Sequence, residues 1–155
     1  MTDGERLKRT REQIEFAAAD TICFFAPYPA ALMKLQQEKW QPVIDKINAA
    51  GCDFRSSTSF EVRPLSDKTK AFLEQRLNAL SDETFNAFCA VSGGCRSVIL
   101  ALHVLDGFLS ADQAFDLAVL EETYQNQFWT ADEEAVAARE NRRQAVVQAA
   151  GKLKG

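Results

Sequence analysis

Few residues in this chain are of types that do chemistry. It has one histidine, His103, and four cysteines, Cys23, Cys52, Cys89 and Cys95. A cysteine nucleophile needs a base beside it to hold the thiolate. His103 lies in the apolar run RSVILALHVLD, where a packed, hydrogen-bonded imidazole is the expected state. A structural zinc site needs four closely spaced sulfur or nitrogen ligands, and the chain has no C-x-x-C pair. The four thiols are read as buried cysteines of a reducing compartment, not as a disulfide framework. The run Gly93-Gly94-Cys95-Arg96 lacks the spacing of a nucleotide-binding fingerprint. Glu121 and Glu122 are adjacent, so on a helix they point about 100° apart and form no carboxylate dyad. The sequence is therefore read as a non-enzyme with no cofactor, no metal and no small-molecule substrate.

Glu121 is the exception among these bland assignments. In Ser110–Trp129, SADQAFDLAVLEETYQNQFW, residues Leu117, Leu120, Tyr124 and Phe128 recur at three- and four-residue spacing and form an apolar stripe. On a single helix Glu121 falls only roughly 40° from Leu117, inside that stripe. A carboxylate on a buried face is unfavourable unless a cation or several donors meet it. Three readings stay open: an internal pair with Arg96, a position at the stripe's edge that reaches water, or a contact surface for a second protein. Phe115, Ala118, Glu122 and Trp129 form a second face on this helix, and aromatics beside acids off the core axis are typical of protein-binding surfaces.

The elements that must position these groups read as helices. The expected fold class is mainly α, a single helical domain with a central buried helix and at most a short extended segment. Gly4–Ala19 is a charged helix with Leu7, Ile14 and Ala18 inward, and Asp20–Tyr28 is a short extended apolar run. Pro29 opens a helix over Ala30–Ala50, kinked or broken after Trp40 by Pro42 and ended by Gly51. Cys52–Leu65 is short and polar enough to be loop. Ser66 and Ser81 are N-caps of helices over Asp67–Leu80 and Asp82–Ser92. Gly93-Gly94 breaks the chain before Arg96–Asp106, apolar nearly all round and so the most buried helix. Ser110 with Gln113, and Thr130 with Glu133, fit capping boxes. The alanine-rich tail from Ala135, with Arg139, Arg142, Arg143, Lys152 and Lys154, is expected to fray at its end.

Composition sets the outer limits. The 155 residues are enough for one domain, 46% apolar and 26% charged, with 11 phenylalanines for an aromatic-rich core. A net charge of −4 and a pI near 5.1 argue against nucleic-acid binding, which needs a cationic face. No apolar run approaches the roughly 20 residues of a membrane span, and the amino-terminal MTDGERLKRTREQIEF lacks a signal peptide's apolar core. No membrane insertion and an intracellular location are expected. Between Ser97 and Ala138 there is no Lys or Arg, while Asp106, Asp112, Asp116, Glu121, Glu122, Asp132, Glu133 and Glu134 are acidic. That stretch is either a solvated acidic face or a surface for a basic partner.

Two runs carry a family resemblance: Asp20–Asp45, DTICFFAPYPAALMKLQQEKWQPVID, and Ser97–Trp129, SVILALHVLDGFLSADQAFDLAVLEETYQNQFW. They resemble the Atp-twelve (Atp12) family, assembly chaperones for the α subunit of the soluble head of F-type ATP synthase in mitochondria and alphaproteobacteria. Family members have a small β-rich amino-terminal domain and a helical domain, and this chain resembles the helical domain alone. The resemblance covers a core over residues 20–129, flanked by charged helical ends at 1–19 and 130–155. It implies a steric mechanism: the protein captures a free α subunit and masks its subunit interface until the β subunit replaces it. The family's acidic motif falls on Glu121, Glu122, Gln125 and Trp129, with Thr123 where relatives carry a third acid. The implied location is the bacterial cytoplasm, or alternatively the mitochondrial matrix. The alternative function is a helical regulatory or scaffold module with another partner.

Overall fold

The computed structural model describes residues 1–130 and 132–153; Lys154, placed above in the fraying tail, lies outside them. Among the described residues eight α-helices follow one another: α1 Asp3–Ala17, α2 Ala30–Ala49, α3 Asp67–Asn78, α4 Asp82–Cys95, α5 Val98–Leu105, α6 Ala111–Ala118, α7 Leu120–Asn126 and α8 Glu133–Ala150. A 3₁₀ turn at Thr21–Cys23 stands where an extended run was expected. Extended pairing among the described residues is limited to one parallel bridge between Phe24 and Ser57. The chain is mainly helical and folds around one core.

That core is built on α5, whose residues Val98 to Leu102 are fully buried. Ser97 caps it, accepting from the Leu100 N–H at 3.0 Å. Asp20 joins at the same end, fully buried, accepting from the N–H of Ile99 at 3.0 Å and of Ile22 at 3.3 Å. Donors and the positive end of the helix dipole favour a carboxylate there, yet burial still pushes the Asp20 carboxyl up to about 6. At the other end His103 Nε2 donates to the Val43 carbonyl at 2.9 Å and its ring meets Phe108 edge-on at 5.1 Å. Burial lowers the His103 pKa, which favours the neutral ring.

Several expectations are corrected by what packs across each position. Gly93-Gly94 does not break the chain: α4 runs through both to Cys95 and turns only at Arg96, in the left-handed region at φ 53°. Gly94 instead makes room for α8, since a Cβ there would stand 2.3 Å from Val146 Cγ2. Pro42 leaves α2 unbroken from Ala30 to Ala49. Pro42 and Glu38, whose carbonyl it frees, are both exposed, so water can satisfy the lost bond. In α1, Leu7 is exposed, and Thr10 and Ala17 are the buried residues instead. Asp132, not Thr130, caps α8, accepting from the Glu134 N–H at 3.0 Å. The tail stays packed through Leu153, which is buried. The caps at Ser66 and Ser81 and the Ser110–Gln113 capping box form as their sequences require.

Arg6 ties α1 to the junction of α3 and α4, a link no local pattern reveals. Its guanidinium donates to the carbonyls of Leu77 at 2.7 Å and Leu80 at 2.8 Å, pairs with Asp82 at 2.7 Å and lies 4.0 Å from the Phe85 ring centroid. Leu77 lies in the last turn of α3 and Leu80 just beyond it, where carbonyls outnumber the backbone donors left to meet them. Arg6→Ala should therefore cost about 2–3 kcal/mol in urea unfolding. Arg6→Lys should restore only part, because one ammonium cannot span all three acceptors. Unchanged stability of Arg6→Ala would count against this clamp.

Candidate partner-binding groove

The expected single helix over Ser110–Trp129 is in fact two. Val119, at φ −105° and ψ 18°, separates α6 from α7. Trp40 Nε1 donates at 2.8 Å to the Leu117 carbonyl, one of the orphan acceptors at the end of α6. The break resets the helical phase, so Glu121 no longer shares a face with Leu117. Glu121 is exposed and makes no ion pair among the described residues, which removes the proposed pairing with Arg96.

Glu121 faces a groove of about 740 Å³. One wall is the loop at 24–29 with Leu32 of α2. The other is α7 and the turn after it, through Glu121, Tyr124, Gln125, Phe128 and Trp129, with Phe60 at the rim. Backbone bonds between Phe25 N–H and the Ser57 carbonyl, and between Ser57 N–H and the Cys23 carbonyl, both 2.8 Å, tie the first loop to the loop that carries Phe60. Gln36, fully buried, accepts from the Ala26 N–H at 2.7 Å and fixes that loop on α2. Four aromatics are left largely in solvent: Tyr28 at 79% exposure, Phe60 at 85%, Phe128 at 66% and Trp129 at 74%. Scattered exposed aromatics are ordinary, but four around one concavity form a contiguous apolar patch. Tyr124 and Phe128 pack on each other with ring centroids 5.2 Å apart.

The groove unites Glu121, Gln125 and Trp129, which follow one another at four-residue spacing. Glu122 is not with them. It turns toward α8, where its carboxylate lies 3.9 Å from Arg139 and 3.8 Å from Arg142. Phe115 also leaves the expected second face, since it is fully buried under the guanidinium groups of Arg143 at 4.7 Å and Arg142 at 5.2 Å. Half of the eight acids between Ser97 and Ala138, namely Asp106, Asp112, Asp116 and Glu122, are answered internally. Arg143 meets Asp112 at 3.3 Å and Asp116 at 2.6 Å, and Arg76 meets Asp106 at 2.5 Å. Tyr28 and Phe60 reach the groove from far away in sequence, which no periodicity signals.

Cys23, Cys52 and Cys95 are buried, Cys89 is half-buried, and none is bonded to another. Burial pushes Cys52 up to about 11 and Cys95 up to about 12, so neither is a thiolate at neutral pH. Among the described residues no three His, Cys, Asp or Glu side chains gather as metal ligands, and no helix is long and apolar enough to cross a membrane.

Residues 2–48 match the family model described as ATP12 chaperone protein. The mitochondrial protein atp12 of Schizosaccharomyces pombe is 26% identical over 129 residues, covering 79% of this chain and 44% of that protein. The chain thus spans less than half the length of this curated relative. The crystal structure of Atp12 from Paracoccus denitrificans superposes with a TM-score of 0.85 at 24% identity, over 94% of this chain and 63% of that one. The Atu1473 protein of Agrobacterium tumefaciens superposes with a TM-score of 0.84 at 24% identity, over 97% and 57% respectively. By the family model over its first third, by sequence to the S. pombe protein over 79% of its length and by fold over nearly all of it, the chain resembles the Atp12 chaperone family.

Proposed function

We propose that this protein is an assembly chaperone for F-type ATP synthase that binds the free α subunit of the soluble head and masks its subunit interface until the β subunit takes its place. The observation that carries this reading is the groove. The two sequence runs that resemble the family, Asp20–Asp45 and Ser97–Trp129, supply both of its walls and leave Tyr28, Phe128 and Trp129 mostly in solvent around it. An unpaired subunit interface is an aggregation hazard, and a chaperone that covers it acts by occupancy alone, without nucleotide or metal. Glu121, Gln125 and Trp129 are the contact residues in this reading, and Glu122 supports them from behind. The compartment would be the one where the head assembles, a bacterial cytoplasm or a mitochondrial matrix.

Capture of purified α subunit by the immobilised protein tests this. Truncating a central interface aromatic costs about 2 kcal/mol or more, roughly thirtyfold in affinity. Trp129→Ala combined with Phe128→Ala should therefore lose α-subunit capture with little change in thermal unfolding, since both side chains are mostly in solvent. Glu122→Ala should act more weakly, through α8. Wild-type capture by the double aromatic variant would remove the groove as the contact surface.

A further inference from the structure

We propose that the groove receives a polypeptide segment carrying an arginine, whose guanidinium pairs with the Glu121 carboxylate and lies against the aromatic wall. This rests on the groove being a contact face, as proposed above, and names the chemistry of what enters it. Glu121 is the one charged residue among those that line the groove. Its acidic neighbours Asp112, Asp116 and Glu122 are all answered by arginines of α8, whereas Glu121 has no ion-pair partner among the described residues. Covering a lone carboxylate with a purely apolar occupant would desolvate it without return. The occupant must therefore bring a cation or several donors, and the aromatic rings beside Glu121 favour a cation.

The rings beside Glu121 select which cation. Tyr124, Phe128 and Trp129 stand on the same wall, and a guanidinium can stack on aromatic faces while its fork meets a carboxylate in two parallel bonds. A lysine ammonium is more strongly hydrated and loses more on entering such a site. The protein already uses the same arrangement inside its own fold. Arg143 lies 4.7 Å from the Phe115 ring centroid while bonded to Asp116 at 2.6 Å, and Arg6 lies 4.0 Å from that of Phe85 while bonded to Asp82 at 2.7 Å. Gln125, on the same wall, offers an amide donor and acceptor to the segment's backbone. A volume of about 740 Å³ holds several side chains, more than a single free amino acid needs.

Fluoresceinyl-β-alanyl-Leu-Val-Arg-Val-Leu-amide, with the dye on the amino terminus, and the same peptide with citrulline at its centre, serve as probes in an anisotropy titration of the full chain. Citrulline keeps the shape and removes the charge. The arginine peptide should bind at least tenfold more tightly than the citrulline peptide, with a lysine peptide between them. Glu121→Gln should abolish the preference while its melting curve stays that of the unaltered protein. Equal binding of the two peptides, binding of neither, or a preference that survives Glu121→Gln would overturn the proposal. The same variant in the α-subunit capture assay keeps the two proposals apart. Arginine preference without α capture would remove the chaperone reading alone, and α capture lost in the double aromatic variant but without arginine preference would remove this one alone.

Discussion

Gly94→Ala should destabilise the protein by about 2–3 kcal/mol, the usual cost of forcing one extra carbon into a filled site. For a domain of this size that lowers the melting temperature by roughly 5–10 °C. The added Cβ would stand 2.3 Å from Val146 Cγ2, and valine has no flexible end to swing aside. Val146 is itself buried, so the clash has no outlet toward solvent. Val146→Ala alone should cost about 1–2 kcal/mol through the cavity it leaves. Combined, the two changes should cost less than their sum by about 1 kcal/mol or more, because each relieves the other. The consequence reaches the groove, since α8 carries the arginines that meet Asp112, Asp116 and Glu122 on α6 and α7. A Gly94→Ala variant that melts like the unaltered protein would show that α8 does not pack on α4 as described.

Gly94 also illustrates which parts of the molecule were legible in the sequence. Where the determinant is local, the reading succeeds. The apolar run of α5 can only be a buried helix, and the serines at 66, 81 and 110 are followed at once by the donors they cap. Where the determinant is a distant residue, the local pattern misleads. Two adjacent glycines look like a break until Val146 of α8 is seen to need the space at Gly94. An exposed proline inside a helix is harmless when the freed carbonyl meets water, as at Pro42. Ser110–Trp129 has an unbroken helical pattern, and nothing near it predicts that the Trp40 indole will take the Leu117 carbonyl.

The candidate site divides in the same way. The four-residue steps from Glu121 to Gln125 to Trp129 are local, and they place the three residues on one wall. Glu122 belongs to the same motif but is turned aside by Arg139 and Arg142, more than a dozen residues later. Phe115 is packed into the apolar core, with the arginines of α8 lying over its ring. The opposite wall comes from the loop at 24–29 and from Phe60, brought together by the Phe24–Ser57 bridge and by Gln36. Such long-range pairings are set by tertiary packing, and composition and spacing do not encode them.

Replacing Asp20 by asparagine should change how stability depends on pH. The carboxyl is pushed up to about 6 in the folded protein from an ordinary value of 3.8, with burial the main cause. Below about pH 4 the group is protonated in both folded and unfolded chains and adds no penalty. Between about pH 4 and pH 6 the unfolded chain releases the proton while the folded protein holds it, so stability falls as pH rises. Above about pH 6 the full penalty stands, about 3 kcal/mol at roughly 1.4 kcal/mol per pKa unit. His103 acts in the opposite sense in an overlapping window. Its folded pKa is lowered, so its contribution is present above about pH 6.5 and is lost as pH falls. The two slopes partly cancel in the unaltered protein, and only a difference measurement isolates Asp20. The asparagine side chain cannot ionise, so the stability of the unaltered protein relative to Asp20→Asn should decline by about 2 kcal/mol between about pH 4.5 and pH 7, read by urea unfolding. A flat difference would mean that the donors of Ile22 and Ile99 and the end of α5 stabilise the ionised carboxylate as fully as water does. Asp20 would then act as an ordinary charged cap of the central helix.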